Sequence, residues 1–130
     1  MAIIKKKKIA LWKGKTEEQV KEMPFEEFKK LVDARTRRSL ERGFTEPQKV
    51  FLKNVEKSDT VKTHCRNMVV VPAMLGKKIH IHNGKEYTII EIDLMKLGHR
   101  LGEFSHSRKM VKHSSAGVGA TRSSRSVSVR

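Results

Sequence analysis

The chain has 130 residues, 29 Lys and Arg against 14 Asp and Glu, and a formal net charge of +15. That length suits one domain with tails, and a chain so cationic repels itself unless a polyanion neutralises it, which makes nucleic acid the expected partner because each neutralised phosphate releases a condensed counterion. An anionic membrane is the weaker alternative, since no stretch approaches the ~20 apolar residues of a spanning helix, and the single Cys65 rules out an internal disulfide, which fits a reducing compartment.

Residues 1–15 read as a basic arm. Ile3 to Lys15 holds Lys5-Lys6-Lys7-Lys8 and no acid, the pattern of a segment that orders on a partner. The apolar run Ile9-Ala10-Leu11-Trp12 is too short for the core of a signal peptide, and the start lacks the Arg and Ser of a transit peptide. Thr16-Glu17-Glu18-Gln19 has capping-box spacing and predicts a short helix. Pro24 fits the first turn of a second helix, with Phe25, Phe28, Leu31 and Val32 on one face and Gly43 as its stop. Arg35, Arg37, Arg38 and Arg42 crowd its last turns, favourable for the helix dipole and available for phosphates. Thr45-Glu46-Pro47-Gln48 opens a third helix, with Val50, Phe51 and Val55 as apolar positions and Ser58-Asp59 as its end.

The period then changes. Met68-Val69-Val70-Val71, ended by Pro72, predicts a short strand, and Ile79-His80-Ile81-His82 and Tyr87 to Glu91 alternate as strands do. Asn83-Gly84 between them predicts a hairpin with a type I′ turn, because both residues tolerate positive φ. Asp93 is expected to cap one helical turn ended by Gly98. Beyond Gly98 no periodicity supports a core, and six Lys or Arg follow Glu103 without an acid. The expected architecture is α+β. Helices come first, then a small three-stranded, mostly antiparallel sheet, with basic extended arms at both ends. Residues 16–113 form the domain and 114–130 a basic tail. The core is modest, so marginal stability in isolation is expected.

Candidate chemistry is sparse. His80 and His82 share a strand face, but a tetrahedral metal site needs four ligands, and His64, Cys65 and His99 stand at no recognised spacing. No metal or other cofactor is expected. His106 and His113 could be cast as a nuclease pair, yet nothing around them would hold two imidazoles rigidly. Cys65 has charged neighbours but no triad, and reads as a structural thiol. No enzyme is expected. Gly98 and Gly102 flank His99-Arg100-Leu101, so main-chain N–H groups and Arg100 could meet phosphates there. Glu103 is expected to pair within the chain, with Arg100 or Arg108.

A cationic hairpin is the expected contact, through Lys77, Lys78, His80, His82, Asn83, Gly84 and Lys85. Arg66, His99, Arg100, Gly102, Ser107, Arg108, Lys109, Lys112 and His113 would continue it, and Arg122, Arg125 and Arg130 would supply tail contacts. With one Trp and one Tyr, an aromatic stacking platform is not expected to dominate; RNA shape and backbone should.

These residues also carry a family resemblance. Asn83-Gly84-Lys85, Ile92, Leu97-Gly98-His99-Arg100-Leu101-Gly102-Glu103-Phe104 and Ser107-Arg108 closely resemble, in order, the signature of the universal small-subunit ribosomal protein family numbered nineteen in bacteria and fifteen in eukaryotes. Pro72-Ala73-Met74-Leu75-Gly76 resembles the Pro-x-Met-Val-Gly element upstream. Arg66 to His113 carries the likeness most strongly, while the helical first part and the tail from Gly117 to Ser124 resemble the archaeal and eukaryotic branch. Asp93-Leu94 stands where the family usually has Thr-Pro or Thr-Asp, Ser107 where Thr is commoner, and Ile89-Ile90 where proline is frequent. The resemblance implies a cytoplasmic ribosomal protein of the small-subunit head that binds small-subunit rRNA. It implies a neighbour in the head protein numbered thirteen, a nearby bridge to the large subunit, and a tail directed toward the decoding site and tRNA. Outside that resemblance, the alternative is an exchangeable basic RNA-binding or RNA-chaperone protein, and the third reading an RNA-processing enzyme using the histidines.

Overall fold

The computed structural model describes residues 10–112. Four helices come first: α1 Glu17–Glu22, α2 Phe25–Leu31, α3 Ala34–Glu41 and α4 Glu46–Lys57. Three strands follow, β1 Thr60–Thr63, β2 Lys78–His82 and β3 Tyr87–Glu91, in sheet order β1-β2-β3. Single 3-10 turns at Pro72–Met74, Leu94–Lys96 and Leu101–Phe104 fill the connections. The fold is α+β as expected, with a mixed sheet. β1 and β2 run parallel over four register pairs, and β2 and β3 antiparallel over five.

Both helix starts signalled by Thr-x-x-Gln are formed. The Gln19 side-chain oxygen accepts from the Thr16 amide at 3.0 Å, and Gln48 does the same for Thr45 at 3.0 Å. The expected second helix is instead two. Val32 and Asp33 are extended, and Asp33 begins α3 by accepting from the Thr36 amide at 3.2 Å. Asp is a strong N-cap, so one continuous apolar face gives way to a restart that turns the chain. Arg37, expected to be free for phosphate, closes the end of α2 by donating to the carbonyls of Lys29, Lys30 and Val32 at 3.1, 3.1 and 3.2 Å.

Strand identity also differs from expectation. β1 lies at Thr60–Thr63, where Val61 and Thr63 face inward, and not at Met68–Val71. The latter segment is buried at all four residues and makes one antiparallel bridge, Val69 to Arg100. Around it Val70 donates to the His99 carbonyl at 2.8 Å, Leu101 to Met68 at 2.9 Å and Gly98 to Val70 at 3.1 Å. A run buried on every side has no solvent face to alternate with, so it serves as a core spine and not as a ladder strand.

Met68, Val70, Met74, Ile79, Ile81 and Leu101 form the centre of the core, with Phe28, Val20 and Val55 closing it from the helices. Leu101 and Ser105 are fully buried, so the core extends past Gly98 after all. Val50, expected to be inward, is exposed, while Phe51 and Val55 are buried. Trp12 is buried as well, stacked on Phe28 with ring centroids 5.5 Å apart. Lys15 pairs with Glu27, and Trp12 and Lys15 exchange two backbone hydrogen bonds at 2.9 Å. Residues 10–15 therefore pack on the body, because an indole's apolar area outweighs the cost of ordering a short turn. Lys5 to Lys8 lie outside the described residues.

Candidate nucleic-acid interface

The hairpin is built by strand alternation. Ile79 and Ile81 point into the core, which sends Lys78, His80 and His82 to the opposite face. Its turn is not the expected type I′ pair. Gly84 alone has positive φ, at 105°, and Asn83 does not. The Asn83 side-chain oxygen instead accepts from the amides of Lys85 and Glu86, each at 2.9 Å, and the Asn83 amide donates to the Glu86 carbonyl at 3.0 Å. That arrangement consumes the loop's own polar groups and leaves the Lys85 side chain projecting into solvent.

Several expected contact residues have tasks inside the fold. Arg66 is half-buried. Its guanidinium donates to the carbonyl of His82 at 2.7 Å, to that of Gly102 at 3.0 Å and to that of Ser105. Lys77 directs its ammonium at the carbonyls of Val55 and Ser58, closing the end of α4, with Asp59 at 3.7 Å. Gly102 is glycine for packing: a Cβ there would sit 3.0 Å from the Arg66 carbonyl oxygen. Arg100 donates to the Ser39 hydroxyl at 3.0 Å and to the Asn67 carbonyl at 3.4 Å.

Glu103 is paired within the chain as expected, with Arg100 through its backbone amide and with the His99 ring. It meets His99 Nδ1 at 2.9 Å and accepts from the Arg100 amide at 3.1 Å. Lys13, Arg35, His99 and Arg100 line one open cleft of about 480 Å³, with Asp33 and Glu103 as its acids.

Three contacts bring the two expected cationic segments together. Arg66 ties the end of β2 to the Leu101–Phe104 turn and to Ser105. The Ser105 hydroxyl reaches Thr88 Oγ1 on β3 at 3.3 Å. Lys109 pairs with Glu86 in the hairpin loop at 2.8 Å. That hydrogen bond and its charge hold the Glu86 carboxyl below its ordinary range and raise the Lys109 ammonium above its own. Ser107, Arg108, Lys109 and Lys112 are all exposed, and Lys109 meets the hairpin loop at Glu86, the residue after Lys85. His113, Arg122, Arg125 and Arg130 lie outside the described residues.

The outer sheet face brings the expected contact residue His82 together with two groups, His64 and Tyr87, that sequence reasoning left out of the contact surface. His64 and His82 stack with ring centroids 4.3 Å apart. His64 Nε2 and the Tyr87 hydroxyl are 2.9 Å apart, and Tyr87 stands edge-on to both imidazoles. Lys62 places its ammonium 5.4 Å from the Tyr87 ring centroid. The signal for this cluster was the His82–Tyr87 register pair of the hairpin; His64 joins through β1, which the sequence reading did not place.

Among the described residues no three of His, Cys, Asp or Glu gather as a metal-binding group, and no helix is long and apolar enough to cross a membrane. His106 is exposed.

Comparison with known proteins adds two findings. The family model described as "Ribosomal protein S19" matches residues 10–113. The small ribosomal subunit protein uS19 of Methanococcoides burtonii is 48% identical over 120 residues, spanning 92% of this chain and 88% of that protein. An alignment of that length takes in the helical first part as well as the glycine-punctuated segment whose hydrogen bonds are described above. The chain belongs to the ribosomal protein S19 family.

Proposed function

We propose that this chain is a structural, non-catalytic constituent of the small ribosomal subunit, binding small-subunit rRNA in support of translation. Family membership and a net charge of +15 support the reading. The observation that carries it is the Lys109–Glu86 pair. Through it the hairpin cation Lys85 and the run Arg108, Lys109 and Lys112 form one basic front and not two separate patches. Lys78, His80, His82, Asn83 and Gly84 are the hairpin part of that front. His113 and the tail residues Arg122, Arg125 and Arg130 continue it. Arg66, Lys77 and Gly102 support it from within.

The finer placement follows the family resemblance. The chain sits in the subunit head beside the protein numbered thirteen, near the bridge to the large subunit. The tail, 114–130, runs toward the decoding site and tRNA, and the basic start acts as a second RNA-binding arm. The compartment is the cytoplasm, within ribosomes.

The test is sedimentation of a cell extract at moderate and at high salt with this chain tracked. Retention with small subunits and whole ribosomes at high salt is expected. Release into light fractions would favour an exchangeable RNA-binding or chaperone protein.

A further inference from the structure

The outer face of the sheet is not a uniform field of cations. Strand register sets it out in rows. Lys62, His80 and Ile89 lie in one row across β1, β2 and β3. Thr60, Lys78 and Glu91 lie in the row on one side of it, and His82 and Tyr87 on the other, with His64 beyond the end of β1. Ile89 is 62% exposed and Tyr87 38% exposed. An isoleucine that open on a central row, beside three planar rings, is apolar and π surface left in water.

A cation front alone has no use for such a surface. Phosphate contacts need ammonium and guanidinium groups, and a paired RNA helix keeps its bases stacked inside and presents backbone. An unpaired nucleotide differs. It has a flat π-face to bury, a phosphate a few ångströms away, and ring edges that accept or donate hydrogen bonds. The sheet face offers all three complements. Ile89 gives an open apolar surface, and the outer sides of the stacked imidazole pair and of the edge-on Tyr87 ring give π contact. Lys62 and Lys78 give cations on the same face. His64 Nε2 meets the Tyr87 hydroxyl and His82 Nδ1 accepts from the Gly84 amide, which fixes how the rings stand and turns His64 Nδ1 and His82 Nε2 to a ligand's edge. Glu91, the one acid on these rows, is in register with Lys78 at the end of β3 away from the rings.

From this juxtaposition we infer that the outer sheet face is a docking site for an unpaired nucleotide of RNA, stacked over Ile89 and the His64–His82–Tyr87 cluster with its phosphate toward Lys62. This rests on the RNA-binding reading above and deepens it: sequence reasoning expected shape and backbone to dominate and stacking not to be the main contribution. The aromatic count missed the platform because two of its three rings are histidines.

The full chain is titrated with two RNA hairpins that differ only by one bulged 2-aminopurine. The bulged RNA is expected to bind about tenfold tighter, in line with the ~1–3 kcal/mol of stacking per base, with quenching of the 2-aminopurine. His64→Ala and Ile89→Ala replace groups outside the core, and each is expected to reduce that preference to about twofold or less while leaving paired-RNA affinity unchanged. In the unaltered chain, NMR resonances of the His64, His82 and Tyr87 rings should move with the bulged RNA and not with the paired one. Equal binding of both RNAs, or variants that keep the preference, overturns the docking site while the general RNA-binding reading stands. No binding to either RNA overturns that reading and the docking site together. If Ile89→Ala instead releases a neighbouring protein from small subunits, or abolishes self-association of the chain, with both RNA affinities unchanged, the face is a protein contact and the inference fails.

Discussion

Arg66 and Gly102 hold each other by two reciprocal hydrogen bonds. The Gly102 amide donates to the Arg66 carbonyl at 2.7 Å, and the Arg66 guanidinium donates back to the Gly102 carbonyl at 3.0 Å. The same guanidinium reaches His82 and Ser105, so one side chain fastens the hairpin to the segment that leads into the basic run. Two residues expected to face a phosphate thus fasten parts of the fold to one another.

Gly102→Ala should therefore destabilise the fold without touching any exposed cation. The added Cβ would meet the Arg66 carbonyl oxygen at 3.0 Å and its Cβ at 3.1 Å, and the backbone can yield only by stretching the reciprocal pair. Overpacking of this kind costs about 1–3 kcal/mol. Urea unfolding should show that loss in the midpoint, and an unchanged midpoint would mean the contact relaxes freely.

Lys77→Met should cost about 1 kcal/mol, as loss of a cation at a helix C-terminus does. Its ammonium closes α4 at Val55 and Ser58, on a side chain 20% exposed. RNA affinity, measured where the variant is fully folded, should not change. A drop in affinity with unaltered stability would return Lys77 to the contact surface.

What could be read from the sequence and what could not divide along a physical line. Thr16 and Thr45 announced their helices because a cap is a local event settled within four residues. Asn83-Gly84 announced the hairpin for the same reason, although the side chain of Asn83 and not its φ shapes the loop. Val32-Asp33 was equally local, but an apolar face running from Phe25 to Val32 masked the restart at Asp33. Non-local partners left no such trace. Nothing near Arg66 in sequence tells that three carbonyls, 16 to 39 residues away, will converge on it. Met68–Val71 has strand composition, and only the core packed around it on every side shows it to be a spine. The cationic front was legible as charge, and the division between cations that hold the fold and cations that face outward was not.

Trp12→Ala should cost about 3 kcal/mol, the lower end for emptying a buried aromatic site. The indole is 7% exposed, stacks on Phe28 and lies 4.0 Å from where a Cβ on Gly98 would stand. Thermal unfolding of the variant should begin well below that of the parent chain. A change under about 0.5 kcal/mol, the range of ordinary surface substitutions, would mean that residues 10–15 detach in solution.

The Glu86–Lys109 pair should be closed over a wide pH range and open at both ends. Glu86 is held below its ordinary 4.5, first by the hydrogen bond from Lys109, so its contribution is present above that value and is lost as pH falls through the lowered one. Lys109 is raised above its ordinary 10.5 by the same bond, so its contribution is present below that value and is lost as pH rises through the raised one. Both side chains are exposed to solvent, so added salt should weaken the pair. NMR titration of the Glu86 carboxyl in Lys109→Ala should return it toward its ordinary value. If it does not move, the direction of the basic run is not set by this contact.

Lys85→Ala tests the front itself. The side chain is exposed at the hairpin tip, and among the described residues Lys85 joins the loop's hydrogen bonds only through its backbone amide, which donates to Asn83. Removing it should leave stability unchanged within about 0.5 kcal/mol, since no buried or paired group is lost. RNA binding should weaken by a similar factor for every sequence, and the slope of log affinity against log salt should fall by about 1, one phosphate contact's worth of released counterions. Arg66→Ala should behave in the opposite way, losing stability first and affinity only as a consequence, because its charge is spent on carbonyls. If Lys85→Ala leaves the slope unchanged, the hairpin tip does not touch phosphate and the front begins at Arg108.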